Sequence, residues 1–292
     1  MKSRPLDAET ERDVAELTHA LVIDGIARRT NWTIKELVFQ GGTSLALAWN
    51  SPRFSEDLDF VVAKGLNLSE EMRKVARHVE EGLAPHYPGA RLDLKDKVRP
   101  DKQNGVFYFD VVLAGVLGNV KVKAEFWQVD PVKVQEYQGT YSQIDGRCNV
   151  KPMFAVATPE QLYVDKINAI ANRGRIKWRD LFDLWFLKSQ QGKRLSEKLN
   201  EPERIVEMLE VCASLYDKTA RDALDGLQQF ADQDVDELVA LAEAQLKPWL
   251  PDYLWSRVWP DTVREMAMLA QTECGRVAEL IDEHAPKLGG PR

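Results

Sequence analysis

Residues Leu37 to Phe60, LVFQGGTSLALAWNSPRFSEDLDF, constrain this chain more than any other stretch. A short apolar run, Leu37-Val38-Phe39, stops at Gly41-Gly42, with the hydroxyls of Thr43 and Ser44 just behind. Glycines permit a tight bend and close backbone approach, and the start of the following helix offers unpaired N–H groups and a positive dipole end to an anion. After a short helical segment, Ser44 to Trp49, closed by Ser51-Pro52, come Asp57 and Asp59 in Asp-x-Asp spacing. Side chains alternate along a strand, so these carboxylates share one face while Leu58 and Phe60 take the other. Two same-face acids at a strand end repel unless a cation sits between them. Beside a turn that can hold phosphate, this is the layout of a magnesium–nucleotide site.

A third acid on a neighbouring strand would complete such a site. In Asn119 to Gln128, Val120, Val122, Ala124 and Phe126 fall on one face, and Lys121, Lys123, Glu125 and Trp127 on the other. Glu125 is the first candidate and Asp110, in Phe107 to Val111, the second. Lys123 and Glu125 could equally form a plain same-face ion pair, worth little on a surface.

The pattern is mixed α/β up to about residue 157 and helical after it. Helices are predicted over Asp7 to Arg28 and Leu68 to Leu83, the latter with a cap and acids at Ser69-Glu70-Glu71. Strands are predicted at Glu36 to Gln40, Asp57 to Val62, Ala90 to Leu94, Val106 to Ala114, Asn119 to Gln128 and Met153 to Ala157. Thr158-Pro159-Glu160 is a helix start with Pro at the first position. Helices then follow over Pro159 to Ala171, Lys177 to Ser189, Pro202 to Leu215, Thr219 to Phe230, Asp234 to Gln245 and Asp261 to Glu283, with a frayed tail from Pro286. The expected architecture is α+β: a mixed-sheet domain over residues 1–157 and an all-helical domain over 158–292, with both supplying groups to an active cleft.

Composition bounds the rest. The chain has 292 residues, 44% apolar and 29% charged, as in an ordinary folded protein. No run of about 18 apolar residues exists, so no membrane partner is expected. The start, MKSRPLDAETERD, lacks an apolar leader segment. Three scattered cysteines with no CxxC spacing point to a reducing compartment, and together these features predict a cytoplasmic location. The four histidines are isolated and read as surface or core residues. Net charge is −7, yet between Lys166 and Arg194 eight bases face two acids, a local +6. A basic strip on an acidic body suits a phosphate-bearing ligand better than a nucleic-acid coat. The aromatic segment Trp249 to Pro260 reads as core filling between helices, with base stacking as the alternative.

GGTSLALAWNSPRFSEDLDF resembles the opening motif of the AbiEii/AbiGii (MenT-like) family of nucleotidyltransferase toxins, in the DNA polymerase β-type nucleotidyltransferase superfamily. ATPEQLYVDKINAIANRGRIKWRDLFDLWFL is similar to that family's helical motif, a lysine followed by an Arg-Asp-x-x-Asp-Leu run. The resemblance spans most of residues 30–190, with Glu125 where the family more often has Asp. It implies that Gly41, Gly42 and Ser44 hold the triphosphate of an NTP, where Thr43 can add a hydroxyl donor, and that Asp57 and Asp59 bind Mg2+. It further implies that Lys166 contacts the nucleotide phosphates, that Asp180 matters for catalysis and that Asp183 supports it. Residues 166, 173, 177 and 180 would lie within about 40° of one direction on an unbroken helix, a condition that Gly174 threatens. Arg53 is placed to meet phosphate, and Ser55, just ahead of Asp57, is a position where an added phosphate would compete with the site.

The implied activity is Mg2+-dependent transfer of a nucleotide to the 3′ end of tRNA, by a toxin that blocks translation in a toxin–antitoxin or phage-defence system and has an antitoxin protein as partner. The alternatives are a protein or small-molecule acceptor, or nucleotide binding without transfer.

Overall fold

A computed structural model describes residues 4–99, 102–199 and 201–285. The tail read as frayed, 286–292, lies outside the described residues. The chain divides into two compact units: residues 1–50, 55–135 and 139–157 form the first, and 51–54, 136–138 and 158–292 the second.

In the first unit, α1 (Ala8–Arg29) starts at Asp7, whose carboxylate accepts from Thr10 N at 2.8 Å. The strands are β2 (Leu37–Gln40), β3 (Asp57–Ala63), β4 (Arg91–Asp96), β5 (Asn104–Val112), β7 (Val120–Val129), β8 (Gly139–Gln143) and β9 (Met153–Ala157). Among the described residues they form one mixed sheet in the order β4-β5-β7-β3-β2-β9-β8. A two-residue parallel pair, β1 (Arg4–Pro5) with β6 (Val116–Leu117), stands apart from it. Helices α2 (Gly41–Trp49), α3 (Leu68–Leu83) and α4 (Pro131–Glu136) complete the unit, α4 ending at the boundary.

Alternation on the central strands builds the core and aims the acids. Leu58, Phe60, Val122, Ala124 and Phe126 point to the buried side, where Phe60 and Phe126 stack with centroids 4.8 Å apart and Phe107 meets Phe126 edge-on. Helices α1 and α3 contribute Val14, Leu17, Leu21, Met72, Val75 and Val79 to the same core. Each large apolar side chain buried there contributes roughly 1.5–3 kcal/mol. The residues between them, Asp57, Asp59, Lys123 and Glu125, remain partly exposed on the other face.

The second unit is helical: α5 (Pro159–Asn172), α6 (Trp178–Lys198), α7 (Pro202–Ser214), α8 (Leu224–Ala231), α9 (Val235–Gln245), α10 (Asp252–Val258) and α11 (Asp261–His284). Thr158 Oγ1 accepts from Gln161 N and Pro159 occupies the first turn of α5, as its sequence predicts. A Cβ at Gly226 would lie 2.0 Å from Ala171 O, so glycine is what lets α8 close on α5.

The α+β architecture is borne out, with local corrections. Helix α2 begins at Gly41 rather than at Ser44, so the diglycine is its first turn. The cap of α3 is Asn67, whose Oδ1 accepts from Glu70 N at 3.3 Å, ahead of the expected Ser69. Helix α6 continues past Ser189 to Lys198. Residues 173–177 interrupt the helical run, so 166, 173, 177 and 180 do not share one helix.

Candidate active site

In the first unit, parallel pairing puts Asp57 opposite Lys123 and Asp59 opposite Glu125. Lys123 Nζ lies 2.7 Å from Glu125 Oε1 and 3.7 Å from Asp57 Oδ2. Partial burial works against its charge. The hydrogen bond to Glu125 and the charges of Asp57, Glu125 and Asp59 outweigh that and hold the ammonium above its ordinary pKa. Three carboxylates on two adjacent strands are thus gathered around one cation. The second candidate acid, Asp110, is drawn away, buried and paired with Lys95 on β4.

The diglycine abuts this cluster. Gly41 has φ +79°, and a Cβ there would sit 2.6 Å from Asp59 Oδ2. Both facts exclude a side chain: the left-handed backbone favours glycine, and the carboxylate occupies the space. Gly42 follows in the first turn of α2, which has no side-chain cap and no acid, leaving its N–H groups suited to an anion. The two hydroxyls point inward. Thr43 Oγ1 donates to the Asp57 carbonyl and accepts from Ser55 Oγ at 2.8 Å, and Ser44 Oγ donates to Gly41 O at 2.9 Å. Both residues are buried, so they shape the turn from within. Ser55 is half-buried and tied through Thr43 to the carbonyl of the first acid.

His19 on α1 gave no sequence signal beyond being a lone histidine. It is buried, and its Nε2–H donates to the carbonyl of Glu56, the residue before Asp57, at 2.8 Å. Burial pulls its pKa down, against the opposing effects of that carbonyl and of the Glu16 and Asp57 charges, so the ring is held toward the neutral form.

The second unit holds a different cluster. Arg53 Nε and Nη2 donate to the two oxygens of Asp183 at 2.5 and 2.7 Å, and its Nη1 donates to Phe54 O. The Arg53 and Asp183 side chains are 3% and 0% exposed. Arg53, expected at phosphate, is therefore engaged with a buried carboxylate. Lys166 Nζ sits 2.8 Å from Asp183 and 3.1 Å from Asp180, and Arg173 binds the other oxygen of Asp180. Burial opposes the charge on Lys166, but Asp183 and Asp180 keep it protonated. Burial likewise opposes ionised Asp183, but Arg53 and Lys166 hold its pKa below the usual range. The helical motif does bring 166, 173 and 180 together, by folding α5 against α6 across the 173–177 turn.

The donor set fits magnesium. Among the described residues no group of three or more His, Cys, Asp or Glu side chains converges tightly enough to hold a metal unaided. Mg2+ does not need such a cage: it is commonly held by one or two carboxylates, waters and substrate phosphates. Asp57 and Asp59 are hard oxygen donors on one face of β3, and Asp57 already lies 3.7 Å from an ammonium.

A sheet carrying Asp-x-Asp beside a glycine-started helix defines a nucleotidyltransferase-type fold. The family model described as nucleotidyl transferase AbiEii toxin, type IV toxin–antitoxin system, matches residues 34–254. The chain belongs to this family of nucleotidyltransferase toxins. No match was found among curated protein sequences. Among solved structures, JHP933 from Helicobacter pylori is similar at 20% identity, with TM-score 0.55 over 95% of this chain and 95% of that one. MenT4, a nucleotidyltransferase toxin from Mycobacterium tuberculosis, is similar at 17% identity, with TM-score 0.52 over 96% and 91%. At these identities the likeness is one of fold.

Proposed function

We propose that the chain uses Mg2+ to transfer a nucleotidyl group from an NTP to the 3′ end of tRNA, and that this arrests translation until an antitoxin protein intervenes. The observation that carries this reading is the gathering of Asp57, Asp59 and Glu125 around Lys123, next to the uncapped start of α2. In the reaction the acceptor 3′-hydroxyl oxygen bonds to the α-phosphorus, the bond from that phosphorus to the bridging oxygen breaks, pyrophosphate leaves and the hydroxyl proton is released. Asp57 and Asp59 would hold the metal, while Glu125 stays with Lys123. Bound there, Mg2+ would neutralise the triphosphate and lower the pKa of the attacking hydroxyl. Gly41 and Gly42 would offer backbone N–H groups to phosphate, and Thr43 and Ser44 would fix the turn that aims them. Lys166 is kept charged by Asp180 and Asp183, and the phosphate-contacting role that the family motif implies for it would require its ammonium to leave or share that pairing.

The test is incubation with total tRNA, Mg2+ and each α-labelled NTP in turn. Label at the RNA 3′ end, abolished in Asp57→Ala and Asp59→Ala, is expected. Label in protein, or growth arrest that persists in those two folded variants, would overturn the reading.

A further inference from the structure

The helical unit contains a cavity of about 400 Å³ between the 173–177 turn and α8. Arg173, Arg175 and Lys177 line it, with Asp180, Gln229 and Phe230. Its volume lies in the range of sites that hold a small organic ligand, roughly 300–1,000 Å³. The charge balance is positive, because Asp180 is already neutralised by Lys166 and Arg173. Of the eight bases between Lys166 and Arg194, several are spent internally: Lys166 and Arg173 on Asp180, Lys188 on Glu273, Arg194 on Glu160. Arg179 lies over the Trp249 ring at 3.9 Å. Among the described residues, Arg175 and Lys177 form no ion pair with a carboxylate, and both face the cavity. Burial and the nearby charges of Arg173, Arg179 and Arg175 pull the Lys177 pKa down against the opposing charge of Asp180.

Asp180 separates two sets of cations. One of its oxygens takes Lys166, which belongs to the buried cluster with Arg53 and Asp183 and does not line the cavity. The other takes Arg173, which does. The cavity is thus supplied from a separate set of bases on a short turn, with Arg173 and Arg175 exposed and Lys177 partly so, and Arg and Lys side chains are the usual contacts to a nucleic-acid backbone.

We infer that this cavity is a phosphodiester-binding site for the RNA acceptor, with Arg175 and Lys177 as its phosphate contacts. The inference rests on the nucleotidyl-transfer reading for the identity of the RNA but not for the site's charge and shape. Gln229 supplies an amide that can pair with a sugar or base edge, and Phe230 an apolar wall.

The test uses the full chain carrying Arg175→Gln and Lys177→Gln, singly and together. The turn bears neither residue in an ion pair, so both variants should fold, which a thermal melt checks. Fluorescence anisotropy with a tRNA pool, between about 50 and 200 mM salt, should show the slope of log K against log salt falling by about 0.7–0.9 for each base removed. The double variant should bind roughly tenfold or more weakly at the lower salt, while calorimetric affinity for each Mg–NTP stays within about twofold. An unchanged slope and affinity would overturn the assignment while leaving nucleotidyl transfer standing. An equal loss of NTP binding would also overturn it, by giving the cavity to the triphosphate. RNA binding that depends on Arg175 and Lys177, in a protein that transfers no label, would keep this site and sink the transfer reading instead.

Discussion

Two charge clusters in this chain use the same residue types to opposite physical ends. In the sheet unit, Lys123 is 28% exposed, Glu125 30% and Asp57 45%, so water screens the attraction and the ammonium can be exchanged for another cation. In the helical unit, Arg53, Asp183 and Lys166 are 3%, 0% and 10% exposed, and each charge depends on its partners for solvation. Screened carboxylates can serve a ligand. Buried ones mainly serve the fold, because breaking such a pair leaves an uncompensated charge in the interior. The lesson is practical: a substitution in the first cluster should leave folding intact, whereas a loss of activity in the second means nothing until folding has been measured.

The sharpest way to break that contrast is Asp183→Ala. It strands Arg53 and Lys166 together without their shared carboxylate, so chemical denaturation should show a loss of about 3–5 kcal/mol. A variant as stable as the parent but inactive would move Asp183 into the chemistry and dissolve the distinction.

Next in size are Asp57→Asn and Asp59→Asn. Each removes a half-exposed charge from a repelling group, so stability should change by about 1 kcal/mol or less. Nucleotidyl transfer should fall by roughly 10²–10³-fold, the loss typical of removing one electrostatic stabiliser of a transition state. Unfolding on the scale of Asp183→Ala would mean that the sheet cluster is structural too.

These clusters were unequally legible in the sequence. Period-two alternation revealed which face Asp57, Asp59 and Glu125 occupy, because a strand with one buried face admits only one phase. The ammonium among them was visible only as an alternative, since nothing local says whether Lys123 turns toward Glu125 or into solvent. Arg53 and Asp183 are 130 positions apart, and no local pattern predicts that a loop arginine will reach a buried helix carboxylate. The 166/173/180 grouping was found through an assumed single helix and is realised by two, because a hairpin can restore the proximity that a break at 173–177 removes. Strand β8, GTYSQ, carries no apolar alternation and is a strand because β9 offers it an edge. Helix α4 is too short to show a period.

A smaller effect sharpens the sheet side. Lys123→Met removes the internal cation that would compete with Mg2+ for Asp57. An exposed pair of this kind is worth about 0.2–1 kcal/mol, so the Mg2+ concentration for half-maximal transfer should drop by up to about fivefold, with kcat little changed. A large fall in kcat at unaltered Mg2+ dependence would instead put Lys123 on the substrate.

The smallest expected effect concerns His19, a buried titratable group that braces the screened cluster from behind. Its Nε2–H holds the carbonyl of Glu56, one residue from Asp57. Burial lowers its folded pKa below the ordinary 6.5, opposed by the Glu56 carbonyl and the charges of Glu16 and Asp57. The sign of the linkage follows directly. Below pH 6.5 the unfolded chain binds a proton that the folded chain refuses, so stability is full at neutral pH and declines as pH falls from 6.5 toward the folded pKa. Each unit of depression is worth about 1.4 kcal/mol. His19→Gln keeps an N–H donor near the Nε2 position without a titrating group. It should retain transfer at pH 7.5 within a few-fold and remove its share of the acid-side slope of stability. His19→Leu, which cannot hold Glu56 O, should lower kcat with little change in stability at neutral pH. Equal behaviour of the Gln and Leu variants in both readouts would show that the histidine only fills space, and that the screened carboxylates need no brace.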